Sequence, residues 1–178
     1  VIGTNGTVCL NNSDTVTFSI SILQKPICPG GNGSFGSGHP ASNSYQWQMF
    51  DGNQYIDISN SPYLIGTSSD TLRLISPPTS WYGKRFRCRI TLANNSVVYS
   101  NINTVRFATY WTGSYNENWH DPLNWTCGVP DADTDAILFY YGMYYQPVIY
   151  SNAVCNALVL HNSNTVIVSS GATLSILP

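Results

Sequence analysis

Charge is what this sequence lacks. Only 9% of its 178 residues are Asp, Glu, Lys or Arg, and the net charge is −2. So little charge, with no excess of one sign, gives no electrostatic argument for nucleic acid or an anionic membrane surface as partner. Glu occurs once, as Glu117, and Lys twice, as Lys25 and Lys84. The long-side-chain helix formers are therefore nearly missing. No stretch approaches the roughly 18 consecutive apolar residues of a transmembrane segment. The chain opens on Val1 with no initiator Met and no charged-then-apolar leader, so it reads as processed or truncated and as part of a longer multidomain chain. None of the five cysteines forms a Cys-x-x-Cys pair, which weakens zinc and thioredoxin-like readings. Five cysteines in so charge-poor a chain suit an oxidising compartment, outside the cell, and the odd number leaves one free or paired elsewhere.

What is present points to strands. Aromatics reach 13%, and Val, Ile, Thr, Tyr and Phe suit a pleated, half-buried surface. The fold class is all-β, in one domain or two small ones. Thr15–Ile22 alternates polar and apolar residues, and Ser44–Phe50 repeats the pattern with Tyr45, Trp47 and Met49 on one face. Further strands are expected at Thr71–Ile75, Arg85–Leu92 and Thr104–Ala108, separated by turn signals such as Asp51-Gly52-Asn53 and Asn94-Asn95. About seven short strands so spaced predict a Greek-key sandwich over residues 1–108. The segment Gln24–Asn43 is rich in Gly and Pro, but no Gly-Lys-Ser/Thr follows. It reads as a loop at the sandwich tip rather than a phosphate cradle.

In residues 109–178, Trp111-Thr-Gly113 is followed by Trp119-His-Asp-Pro122-Leu-Asn124-Trp125-Thr-Cys127-Gly128-Val-Pro130. Strands are then expected at Asp135–Tyr140 and Gln146–Tyr150. Beyond them Leu158/Leu160, Val166/Val168 and Leu174/Ile176 recur every eight positions. That repetition predicts a small β-solenoid or tight β-meander whose successive short strands stack on one another.

Tyr45-Gln-Trp47-Gln and Trp81-Tyr-Gly83-Lys-Arg-Phe86-Arg-Cys88 resemble the third strand and the approach to the sixth strand of immunoglobulin-like domains. Ile20 stands where that family often has the partner of Cys88. The resemblance makes Cys9 the first choice for that partner and Cys28 the second. The Trp-Gly, Asn-Trp and Gly-x-Pro cluster of the second half resembles a module of large type IX-secreted, adhesin-like surface proteins of Bacteroidetes, which often follows immunoglobulin-like repeats and opens a β-solenoid. The resemblance implies a Cys127–Cys155 disulfide, contributing on the order of 3 kcal/mol, and a secreted or cell-surface location.

Candidate chemistry is sparse. Asp131, Asp133 and Asp135 alternate in a spacing that could surround calcium, but the EF-hand glycine and distal Glu are missing, and a solvated turn is the preferred reading. No other cofactor is implied. His39, His120 and His161 are scattered, no Ser sits on a Gly-x-Ser-x-Gly elbow, and nothing pairs Glu117 with Asp121 across a cleft. The chain reads as not an enzyme. Tyr140, Tyr141, Tyr144, Tyr145 and Tyr150 cluster around Gly142-Met143. They either pack on the tryptophans as core or offer a platform for sugar rings, with Tyr141, Tyr144 and Tyr145 as its candidates.

If Phe86, Cys88 and Ile90 face inward, then Arg85, Arg87 and Arg89 face out together. Arg106 should join them, beside Gln46, Gln48 and Phe50. Their match is expected among Glu117, Asp121, Asp131, Asp133 and Asp135, or else in an acidic ligand such as a uronate polysaccharide. The function expected is a non-catalytic extracellular structural or adhesion module, with a glycan or another surface protein as partner. The alternative is a carbohydrate-binding module attached to an extracellular polysaccharide-degrading enzyme.

Overall fold

The computed structural model describes residues 8–10, 26–37, 44–139, 143–161 and 164–177. The alternating segment Thr15–Ile22, His39 and Tyr141 lie outside them. The fold is all-β. Among the described residues helical structure is limited to two short 3-10 turns, Thr79–Trp81 and Pro122–Asn124. The chain divides into two compact units, Gln24–Arg106, and Val1–Leu23 with Phe107–Pro178. The first strand, β1 (Val8–Leu10), belongs to the second of these.

The unit Gln24–Arg106 is antiparallel throughout. Its strands are β2 (Gly33–Gly36), β3 (Ser44–Phe50), β4 (Tyr55–Asp57), β5 (Leu64–Ile65), β6 (Thr71–Leu74), β7 (Arg85–Thr91), β8 (Val97–Tyr99) and β9 (Asn103–Thr104). One sheet has the order β2-β6-β5; the larger runs β4-β3-β7-β8, with β9 also on β7. Strict alternation on β7 buries Phe86, Cys88 and Ile90 completely and turns the arginines between them to the other face. Trp47 of β3 lies opposite Cys88, fully buried, and its indole N–H donates to the Ser69 carbonyl at 2.9 Å. Leu72 and Leu74 of β6 are fully buried too, and the Phe35 ring of β2 meets that of Phe86 with centroids 6.0 Å apart. Each large side chain so buried contributes about 1.5–3 kcal/mol. The expected strand Thr104–Ala108 divides: Asn103–Thr104 pairs with β7, whereas Ala108 opens a strand of the other unit.

That other unit is built mainly from parallel pairs. Its remaining strands are β10 (Ala108–Tyr110), β11 (Asp135–Leu138), β12 (Val148–Ile149), β13 (Ala153–Cys155), β14 (Leu158–Leu160), β15 (Ile167–Val168) and β16 (Leu174–Ile176). Ala136 pairs with Leu158, Val148 with Ile167 and Ala153 with Leu174, which are steps of 22, 19 and 21 residues. An earlier pass supplies β10, parallel to β11, and Asn118, bridged in parallel to Val148. Antiparallel β1 lies on the other edge of β16.

The eight-residue repeat expected from the sequence is therefore not a stacking repeat. β14, β15 and β16 occupy three different sheets, and each pairs with the strand one pass earlier. The spacing of eight separates consecutive strands that lie in different sheets. Parallel pairing also explains why β11 and β14 are buried at every position instead of alternating.

Candidate functional site

The tryptophan cluster fills the core of the parallel unit. Trp111 and Trp119 stand edge-on to Trp125, with ring centroids 5.0 and 4.8 Å from it, and all three are buried. Trp125 Nε1–H donates to the Trp119 carbonyl at 2.7 Å, and Trp111 Nε1–H donates to that of Tyr145 at 2.9 Å. The short residues of the motif hold this arrangement. Gly113 adopts φ +54°, and a Cβ there would lie 2.3 Å from the Tyr145 carbonyl oxygen. Asp121 caps the 3-10 turn by accepting from the Leu123 N–H, with Pro122 at its first position.

Asn124, fully buried, accepts from the N–H groups of Tyr115 and Asn116. It donates to the Asn116 side chain and the Asn118 carbonyl. The motif residues thus hold one another and the turn between them.

Beside the clamp opens a groove of 570 Å³, walled by Tyr110, Phe139 and Tyr144 and edged by Thr112, Ser114 and Thr126. Trp111 forms part of its lining. Tyr144 is 87% exposed, and Phe139 is exposed beside it. Tyr145 and Tyr150 are exposed as well. Tyr144, Tyr145 and Tyr150 therefore do not fill the tryptophan core, the first of the two readings that the sequence allowed. The Trp111 N–H reaches only the backbone of Tyr145. Tyr150 donates to Glu117 Oε1 at 3.1 Å, a bond that raises the phenol above its ordinary pKa.

The arginine face lies on the larger antiparallel sheet. Arg85 stacks on the Phe50 ring, its guanidinium carbon 4.0 Å from the centroid. Arg87 lies between Tyr55 and Tyr99, 4.1 Å from each centroid, and donates through Nε to Gln48 Oε1 at 2.9 Å. Arg89 pairs with Asp57 at 3.1 Å, and Gln48 Nε2 donates to the other Asp57 oxygen. Gln46 turns its amide to the Trp47 and Ile58 carbonyls instead of outward. Arg106 donates to the Tyr82 hydroxyl at 3.3 Å.

Arg89 is matched by Asp57, and aromatic rings cover Arg85 and Arg87. Asp57 follows from hairpin register, since β3 turns into β4 and sets Gln48 opposite Asp57. The same logic places Tyr99 opposite Arg89 across the Asn94-Asn95 turn.

The remaining candidates do not converge. Asp131 and Asp133 are exposed, and Asp131 accepts from the Asp133 N–H and the Thr134 hydroxyl as a turn former. Asp135 is buried on β11 and accepts from Asn156. Among the described residues no three His, Cys, Asp or Glu side chains gather as a metal would require. His120 reaches the Asn152 carbonyl, whereas His161 lies against Phe139. The cysteine expectations are corrected. Cys28 and Cys127 are the disulfide-bonded ones, whereas Cys88 and Cys155 are free, buried thiols. Neither Cys127–Cys155 nor Cys9–Cys88 forms. Burial, then the nearby Asp135 charge, pushes the Cys155 thiol up to about 12, and burial pushes Cys88 up to about 11.

No protein-family model, curated protein or solved structure matches this chain.

Proposed function

We propose that this chain is a non-catalytic structural or adhesion module of a secreted or cell-surface protein, an immunoglobulin-like sandwich leading into the first turns of a β-solenoid. The observation that carries the reading is the use made of the tryptophan motif. Trp111, Gly113, Asp121, Asn124 and Trp125 are all engaged in clamping one coil of parallel strands. A motif so occupied builds a scaffold, as in the Bacteroidetes adhesin-like modules that it resembles. The disulfide is compatible with an extracellular location. No helix among the described residues is long and apolar enough to cross a membrane.

The alternative, a carbohydrate-binding module, is supported by the groove. Exposed aromatic rings edged by hydroxyls suit the apolar face and polar rim of a neutral sugar. Two measurements decide between them. Incubating the protein with polysaccharides should release no reducing ends; release would overturn the non-catalytic reading. A neutral-glycan array should be blank for a scaffold, whereas a signal removed by Tyr144→Ala would establish the alternative.

A further inference from the structure

The aromatic rings on the arginine sheet leave the guanidinium edges as the groups to be explained. Arg85, Arg87 and Arg89 follow one another at every second position of β7, about 7 Å apart. Rings cover the planes of Arg85 and Arg87, so their remaining hydrogens point along the plane edges. Three guanidinium groups share this face with one carboxylate, Asp57, which already holds Arg89 and Gln48. No carboxylate among the described residues takes the edge of Arg85 or Arg87. Like charges at this spacing repel unless an anion is supplied. Stacking has meanwhile removed much of the rotamer freedom that binding an anion would otherwise cost.

We propose that this face of β4-β3-β7-β8 binds a linear anionic polysaccharide, its carboxylate or sulfate oxygens accepting from the edges of Arg85 and Arg87. A row of guanidinium groups along one strand fits an extended polymer with periodic charge better than a compact ligand. Tyr99, 49% exposed, offers an apolar ring beside the row for a sugar's C–H face. A nucleic acid fits less well, because its affinity rests on many phosphate contacts and this chain has 7 Lys and Arg in all. The site shares no residue with the Tyr144 groove. The proposal names a ligand class for the adhesion reading and rests on it. Loss of polysaccharide binding and release of reducing ends are separate readouts, so either idea can fail alone.

The test uses the full chain and pairs of probes with identical backbones: polygalacturonate against its methyl ester, and dextran sulfate against dextran. The first pair reads carboxylate and the second sulfate. Binding is expected to at least one charged member and to neither neutral one, and should weaken as salt is added. Arg85→Gln and Arg87→Gln should each weaken it about fivefold, and the double variant should abolish it. Arg87→Lys keeps the charge without the fork and should fall between. Arg85 is exposed and stacks on the Phe50 ring, so the Arg85→Gln fold should survive, and unchanged circular dichroism checks this. Failure to bind either charged polymer, equal binding of the neutral partners, undiminished binding by the folded Arg85→Gln variant, or tighter binding of a single-stranded oligonucleotide would each overturn the proposal.

Discussion

The two units of this protein bury their cores by different means. In Gln24–Arg106 the strands reach seven residues, as in β3 and β7, and long antiparallel ladders hold them with one face in and one face out. In the parallel unit no strand among the described residues exceeds four residues. So short a ladder cannot hold itself. Side-chain hydrogen bonds inside the turns and three interlocked indoles take over that task. The lesson is that a β-region with short strands concentrates its stability in a few turn residues, while one with long strands distributes it.

The sharpest challenge to that contrast is Trp125→Ala. It removes the ring that both other indoles touch and should cost about 3–5 kcal/mol in denaturant unfolding of the parallel unit. A loss under 1 kcal/mol would mean that the clamp is ornamental. Asn124→Leu comes next, at about 3 kcal/mol, because it strands the Tyr115 and Asn116 donors. Asn60, whose side chain also holds a turn but lies exposed in the antiparallel unit, should cost less than half as much when changed to Ala. Equal costs at the two sites would erase the distinction.

A third comparison uses pH. The Cys155 thiol is held up at about 12 in the fold, against 9.0 for an ordinary thiol. The raised value means that its contribution is complete below pH 9 and lost as pH rises from about 9 to 12, amounting to about 1 kcal/mol by pH 10. Cys155→Ala should therefore show a shallower alkaline loss of stability than the parent. An identical slope would show that this thiol is not protected. The smallest effect is expected from Arg87→Met, at about 0.5–1 kcal/mol, since its stacking is at a half-exposed site. Thermal unfolding measures it, and a cost near 3 kcal/mol would make the arginine row structural first.

Sequence reasoning reached the antiparallel unit more easily because alternation is a local signal. Arg85 to Ile90 shows its two faces without any knowledge of neighbours, and the β7 arginines could be placed outward from that alone. Their partners were also within reach: the turns at Asp51-Gly52 and Asn94-Asn95 fix the registers that bring Asp57 and Tyr99 alongside. The parallel unit hides its pairing. A spacing of eight between Leu158, Val166 and Leu174 looks the same whether the chain stacks strand on strand or walks around a coil. Only the return distance between paired strands, 19 to 27 residues here, separates the two. The groove was hidden for the same reason, since Tyr110 and Phe139 come together through the parallel register of β10 and β11, far apart in sequence. The cysteines misled because spacing and resemblance say nothing of distance in space.

The indole cluster has an optical consequence. The Trp111 and Trp119 rings, each held about one ring width from Trp125 at an interplanar angle near a right angle, should couple with it and split their ultraviolet bands into a circular-dichroism couplet. Trp47 and Trp81, in the other unit, sit far along the chain from these three and need not share it. The parallel unit thus carries a native spectroscopic label, through which its folding can be followed without attaching a dye.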